Sequence, residues 1–267
     1  MVTRGEAWMI PALSRIWEAC FGDSPEYIRF FMEKRFPDCQ SFVWLEEGQA
    51  VGAVYLLPCY LRSGPAFYSY AGGVLPQFRR RGIFETVYFA GRDFCQEQGA
   101  ELTIVPGPGT QDYYRRRGYR PAFSFSRRVD GKTGRHPELV LREADAGQYT
   151  RLRDQAFAHL DYVRWDEEAV GYALEENRLC GGFAKIVAGE RDHLIFGRKD
   201  GEALEITETT LDPEQARCLA PALCRYWGAE QVAFRFPAIY GGELVENGGV
   251  WWRETSLQNG WMGLDLT

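Results

Sequence analysis

The stretch Phe67–Tyr88, F-Y-S-Y-A-G-G-V-L-P-Q-F-R-R-R-G-I-F-E-T-V-Y, constrains this chain more than any other. An apolar, aromatic run with paired glycines ends at a proline. Three arginines then lead to Gly82, beyond which apolar residues recur at helical spacing. The order is strand, tight loop, helix start. The first N–H groups of a helix lack partners inside it and carry partial positive charge, so a helix start among cations suits a phosphate. Gly82 can take backbone angles that an L-residue resists, which lets successive N–H groups converge on an anion. A loop that merely joins two elements can have the same local sequence, so the surrounding chain has to decide.

The 267 residues are enough for two ordinary domains, and 45% apolar residues are ample for their cores. Apolar spacing predicts a helix over Ala12–Gly22. A second helix runs from Ser24, as N-cap before Pro25, to Phe36. Phe42–Leu45 and Ala50–Arg62, joined by E-E-G-Q, read as a hairpin. Ala66–Leu75 is the next strand, Ile83–Gln98 a helix closed by Gly99, and Glu101–Val105 a strand. After P-G-P-G come a short helix over Thr110–Arg117 and extended chain over Tyr119–Val129. The segment Asp130–Pro137, D-G-K-T-G-R-H-P, collects turn formers and reads as a linker. Beyond it the order repeats without the residues repeating. Leu139–Arg142 is a strand, and Asp145–His159 and Asp166–Asn177 are helices. Gly182–Val187, His193–Arg198 and Ala203–Thr209 form a meander, Pro213–Trp227 is a helix capped by Asp212, and Glu230–Phe236 is a strand. Gly249–Leu266 has room for a final hairpin.

Several function classes are disfavoured. No run approaches the roughly 18 apolar residues of a membrane span, and M-V-T-R-G-E-A-W lacks the plan of a signal peptide, so a cytoplasmic protein is expected. The seven scattered cysteines and three histidines make neither a C-x-x-C pair nor a metal-ligand pattern; reduced structural thiols, with no metal, are expected. Cys59 has no histidine near it in sequence to act as its base. Residues 1–136 carry 18 Lys and Arg against 14 Asp and Glu, a net of +4, whereas residues 137–267 carry 13 against 23, a net of −10. Clustered arginines at 79–81 and 115–117 fit a local polyanion site, while the acidic total and the lack of a recognised module argue against nucleic acid.

The second arginine cluster follows a tyrosine pair. In D-Y-Y-R-R-R-G-Y, Tyr114 stands four residues before Gly118 on a short helix. Its hydroxyl could protonate a leaving thiolate, or its ring could simply anchor that helix. Together the two segments resemble the GNAT superfamily of acetyl-CoA-dependent N-acetyltransferases. The family's V-x-P strand end and R/Q-x-x-G-x-G/A loop are met by Val74-Leu75-Pro76 and Arg79-Arg80-Arg81-Gly82-Ile83-Phe84. Phe84 replaces the last small residue, as a bulky residue does in the Eis-like branch. The later F/L-Y-x-x-x-G-F/Y segment is met by Tyr113-Tyr114-Arg115-Arg116-Arg117-Gly118-Tyr119.

The resemblance implies two tandem GNAT-like domains of mixed α/β class, residues 1–130 and 138–267, each with a mostly antiparallel mixed sheet flanked by helices. It implies pantetheine pairing along Gly72, Gly73 and Val74 and a pyrophosphate held at Arg79, Arg80, Arg81, Gly82, Ile83, Phe84 and Glu85. It places Tyr114 at the departing sulfur and the cofactor slot between two splayed parallel strands. The reaction implied is direct attack by the primary amine of a small molecule on the acetyl-CoA thioester, with a strand N–H polarising its oxygen. Glu46, Glu47, Tyr68 and Tyr70 are candidate bases by position, and a water chain is an equal alternative. The second half has no glycine at the matching junction, E-T-T-L-D-P-E-Q-A-R, and its Asp212 and Glu214 would repel phosphate. It reads as a degenerate repeat that shapes the acceptor pocket or covers the sheet. Its acidity suits a cationic acceptor and equally a solvated surface. Two other readings stay open: a non-catalytic acyl-CoA-binding or regulatory module, and an aminoacyl transferase, which the net of −10 disfavours.

Overall fold

A computed structural model describes residues 1–135, 137–251, 257 and 260–264. In chain order the elements are β1 (Val2–Arg4), α1 (Ile10–Phe21), α2 (Pro25–Lys34), β2 (Gln40–Glu46), β3 (Gln49–Leu61), β4 (Gly64–Val74), α3 (Ile83–Glu97), β5 (Glu101–Ile104), α4 (Gln111–Arg115) and β6 (Tyr119–Gly131). They continue with β7 (Leu141–Glu143), α5 (Ala146–Phe157), α6 (Glu167–Leu179), β8 (Gly182–Val187), β9 (His193–Asp200), β10 (Ala203–Thr209), α7 (Pro213–Trp227), β11 (Gln231–Pro237) and β12 (Leu244–Trp251). The chain forms two compact units. One holds Met1–Arg120 with Gly249 and Val250 of β12, and the other holds Pro121–Gly248 with residues 260–264.

In the first unit the strands run in the order β1, β2, β3, β4, β5, β12, antiparallel except for the β4–β5 pair. Parallel neighbours need a long crossover, and α3 supplies it. Side chains alternate across the sheet, so Val54 and Leu56 of β3 meet Val87, Tyr88 and Cys95 of α3 on one face. Tyr55 points to the other face, where its ring lies 5.5 Å from Trp17 of α1 and 5.3 Å from Phe31 of α2. Gly91 lets α3 sit close: a Cβ there would stand 3.3 Å from Leu56. The helix ends obey local rules. The Ser24 hydroxyl accepts from the Tyr27 N–H at 3.2 Å, and Gly22 closes α1 at φ 74°.

The second unit repeats this plan with the order β6, β11, β10, β9, β8, β7, antiparallel except for β10–β11, which α7 connects. Its core sets Ala216, Ala220, Leu223 and Cys224 of α7 against Ile195, Leu204, Ile206, Val232 and Phe234. Beneath lies a buried ionic cluster. Arg153 of α5 donates to Glu208 of β10 at 3.0 Å and to the carbonyls of Val163 and Met262, while Tyr149 and the Trp261 indole also donate to Glu208.

Two pairings do not follow sequence proximity. β6 extends two residues into the expected linker and pairs with β11 from Phe125 to Gly131, and Gly249 and Val250 pair with Ile104 and Thr103 of β5. β12 also begins five residues before the expected last hairpin, much of which lies outside the described residues.

Candidate active site

The site is built where β4 leaves β5. The parallel pairing joins Ala66–Ser69 to Glu101–Ile104, and β4 then runs on to Val74 with no further β5 partner. Its other edge bulges. Ala53 opposes Gly73 while Tyr55 opposes Tyr70, so β4 holds one extra residue there, and Ala71 takes a left-handed φ of 44°. A bulge redirects backbone groups, and a non-glycine residue at positive φ costs on the order of 1 kcal/mol or more. The glycines beside it are required by their neighbours. A Cβ on Gly72 would lie 2.9 Å from the Phe84 ring, and one on Gly73 would lie 2.6 Å from the Cys20 sulfur. The bulky Phe84 is thus accommodated by Gly72. Its ring packs 5.7 Å from Tyr88 and 5.9 Å from Tyr113 and also borders the cluster of Val51, Val74 and Ile83.

That start is open. Gly82 is the N-cap of α3 at φ 73°, and among the described residues no side chain caps the helix. Ile83 is buried against Val51 and Val74, so only its backbone can serve a ligand. The arginines before it divide their tasks. Arg79 turns back, its Nε donating to the Val74 carbonyl at 3.1 Å. Arg81 is paired with Glu46 at 2.5 Å and lies over Phe78. Arg80 is exposed with φ 62°. Glu85, in the first turn, accepts from Arg117 Nε at 3.1 Å.

Tyr114 lies on α4 within the cluster beneath α3, its ring 5.6 Å from Tyr88 and 5.2 Å from Tyr113. Burial, with Tyr113 adding to it, pushes its hydroxyl well above the usual phenol range, so it keeps its proton. Among the candidate bases, Glu46 is engaged by the Trp44 indole and by Arg81, which hold its carboxyl below the usual range. Glu47 sits in the β2–β3 turn at φ 49°. Tyr68 is buried, and the Tyr70 hydroxyl lies 2.6 Å from that of Tyr27. Cys59 is fully enclosed and burial pushes its thiol up, which opposes a nucleophilic role. The sequence marked Arg117 as part of a basic cluster but not its pairing with Glu85, and it gave no sign of the contact between Tyr27 and Tyr70.

The second unit treats the same junction differently. At the start of α7 the Asp212 carboxylate accepts from the Glu214 and Gln215 N–H groups, both at 2.8 Å, and the Gln215 side chain accepts from the Asp212 N–H at 2.9 Å. This reciprocal cap fills the amides with a resident carboxylate.

Residues 6–122 match the family model described as an acetyltransferase (GNAT) domain. No curated sequence matches the chain significantly. Among solved structures it is similar to a probable N-acyltransferase of Enterococcus faecalis, with a TM-score of 0.74 and 15% identity over 94% of this chain and 72% of that one. It is similar to Eis1 of Mycobacterium abscessus, with a TM-score of 0.66 and 12% identity over 94% of this chain and 73% of that one. A tandem GNAT protein from the clavulanic acid biosynthesis pathway gives 0.55 and 14%, over 94% and 97%. At these identities the likeness is one of fold. Over residues 6–122 the chain is thus similar to a GNAT acetyltransferase domain, and its mixed α/β fold is similar to those of tandem GNAT and Eis proteins.

Proposed function

We propose that this protein is an N-acetyltransferase that moves the acetyl group of acetyl-CoA to the primary amine of a small molecule. The observation that carries the reading is the contrast between two equivalent helix starts: α3 presents uncapped amides beside a splayed strand, whereas α7 is sealed by Asp212. One cofactor site, in the first unit, follows. The amides of Gly82, Ile83, Phe84 and Glu85, with Arg80, would hold the pyrophosphate, and Gly72, Gly73 and Val74 would pair with the pantetheine arm. Arg79 and Arg81 support it by fixing the strand end and the β2–β3 hairpin. The second unit is a degenerate repeat without a pyrophosphate loop.

Acetyl-CoA supplies an activated thioester. A neutral amine adds to the carbonyl carbon, a β4 N–H stabilises the developing oxyanion, and the C–S bond breaks as the amine loses its proton. Tyr114 donates a hydrogen bond to the departing sulfur. Its raised affinity for its proton makes complete transfer to a thiolate uphill, so thiol formation is completed by solvent as CoA leaves. No metal enters this scheme, and the acceptor is a small amine, with neither nucleic acid nor membrane as partner.

The test is CoA release from acetyl-CoA against amino acids, polyamines and aminoglycosides, with Tyr114→Phe alongside. Turnover of at least one amine, reduced by about 10²-fold or more in the variant, is expected. Acetyl-CoA binding without turnover of any amine would favour a regulatory binding module. Normal turnover by Tyr114→Phe would remove the tyrosine's role alone.

A further inference from the structure

Glu85 is the one acidic side chain in the first turn of α3. A carboxylate there complements the helix dipole while the site is empty, but it repels a diphosphate on the neighbouring amides. Arg117 answers that charge. Its Nε donates to Glu85 Oε1 at 3.1 Å, its Nη1 donates to the Tyr113 carbonyl at 3.1 Å, and its guanidinium carbon sits 3.7 Å above the Tyr113 ring. Tyr113 in turn touches Phe84 of α3 and Tyr114 of α4, with ring separations of 5.9 Å and 5.2 Å. The other arginines of the run point elsewhere: Arg115 pairs with the Asp112 carboxylate at 3.3 Å, and Arg116 Nε donates to the Asp112 carbonyl at 3.1 Å.

We propose that Arg117 is a positioning residue of the cofactor site, which screens Glu85 from the diphosphate of CoA and holds the Tyr114 helix against α3. This rests on the acetyl-CoA reading above. One guanidinium joins the two sequence motifs, so the phosphate end of the cofactor and the residue at its sulfur share a support. The pair is partly exposed, 25% for Arg117 and 42% for Glu85, so it adds little to stability and can be removed without unfolding the domain.

The experiment measures acetyl-CoA affinity by calorimetry, and kcat on the best amine of the panel, for the full chain and for Arg117→Gln, Glu85→Gln, the double variant and Arg117→Lys. Arg117→Gln is expected to weaken binding roughly tenfold, the effect of exposing one carboxylate to a diphosphate about a helical turn away. The double variant recovers wild-type affinity because the charge to be screened is gone, yet its kcat stays about tenfold low because the tie to α4 is missing. Arg117→Lys keeps affinity and loses kcat. The unliganded melting temperatures of all variants agree with wild type. A double variant that binds as weakly as Arg117→Gln would show that Arg117 contacts the ligand itself and overturn the screening role. A kcat restored together with affinity would overturn the positioning role, and melting temperatures falling in step with affinity would leave only a structural contact. If wild type binds no acetyl-CoA, the reading beneath fails, and the proposal with it.

Discussion

Substitution of Gly72 by alanine probes the packing that admits a phenylalanine into the first turn of α3. The added methyl would stand 2.9 Å from Phe84 Cε2 and 3.4 Å from Val54 Cγ2. Val54 is fully buried in a strand, so the phenylalanine ring must yield, and overpacking of this kind costs roughly 1–3 kcal/mol. Phe84→Ala removes the obstacle but opens a void beneath Tyr88 and Tyr113, at about 2 kcal/mol for a half-buried ring. If the two residues are complementary, Gly72→Ala/Phe84→Ala should be less destabilised than the sum of its singles by about 1 kcal/mol. Urea denaturation of the four proteins gives the coupling directly. Additivity within roughly 0.5 kcal/mol would refute the claim that the glycine exists to accommodate the ring.

Four further outcomes are expected. Glu208→Gln leaves the Arg153 guanidinium buried, at 1% exposure, without a counter-charge, and should lower stability by about 3 kcal/mol or more in the same assay. Asp212→Ala removes the acceptor for two N–H groups of α7, which should cost about 1 kcal/mol while acetyl-CoA affinity is unchanged. Burial pushes Cys39 and Cys95 up to about 12 from an ordinary value of 9.0, so both stay protonated in the folded state. That stabilising contribution is complete below pH 9 and is lost as pH rises towards 12, so stability should fall over this range. A thiol reagent at pH 8 should therefore modify the exposed Cys180 and Cys218 quickly and the buried cysteines only on unfolding.

What was legible in the sequence was what local chemistry controls. Ser24 and Asp212 act through N–H groups two or three residues away, and Gly22 and Gly99 end helices by adopting positive φ, so these boundaries could be read residue by residue. The parallel β4–β5 pair was implied by the family resemblance, whereas the parallel β10–β11 pair, joined by α7, is given by the structure. Partnerships set by distant residues were not legible. β1 is three residues long and exists through its register with β2. β6 looks like the last strand of the first repeat, yet its partner is β11, because strand pairing depends on neighbours that the strand's own residues do not specify. At the candidate site the motif located the helix start, but a run of three arginines does not reveal how each guanidinium is engaged. Arg79 is bound to a carbonyl five residues before it and Arg81 to a carboxylate on another hairpin. The glycine that faces the Phe84 ring, Gly72, lies twelve residues earlier on another element, so the motif alone does not pair them.

The central claim is that one of two equivalent helix starts is open to a diphosphate and the other is closed by its own carboxylate. The most direct test is the stoichiometry of acetyl-CoA binding to the full chain by calorimetry. The account predicts one site per chain, weakened by Gly82→Ala and untouched by Asp212→Ala. No binding, two sites, or one site that responds to Asp212 in place of Gly82 would contradict it.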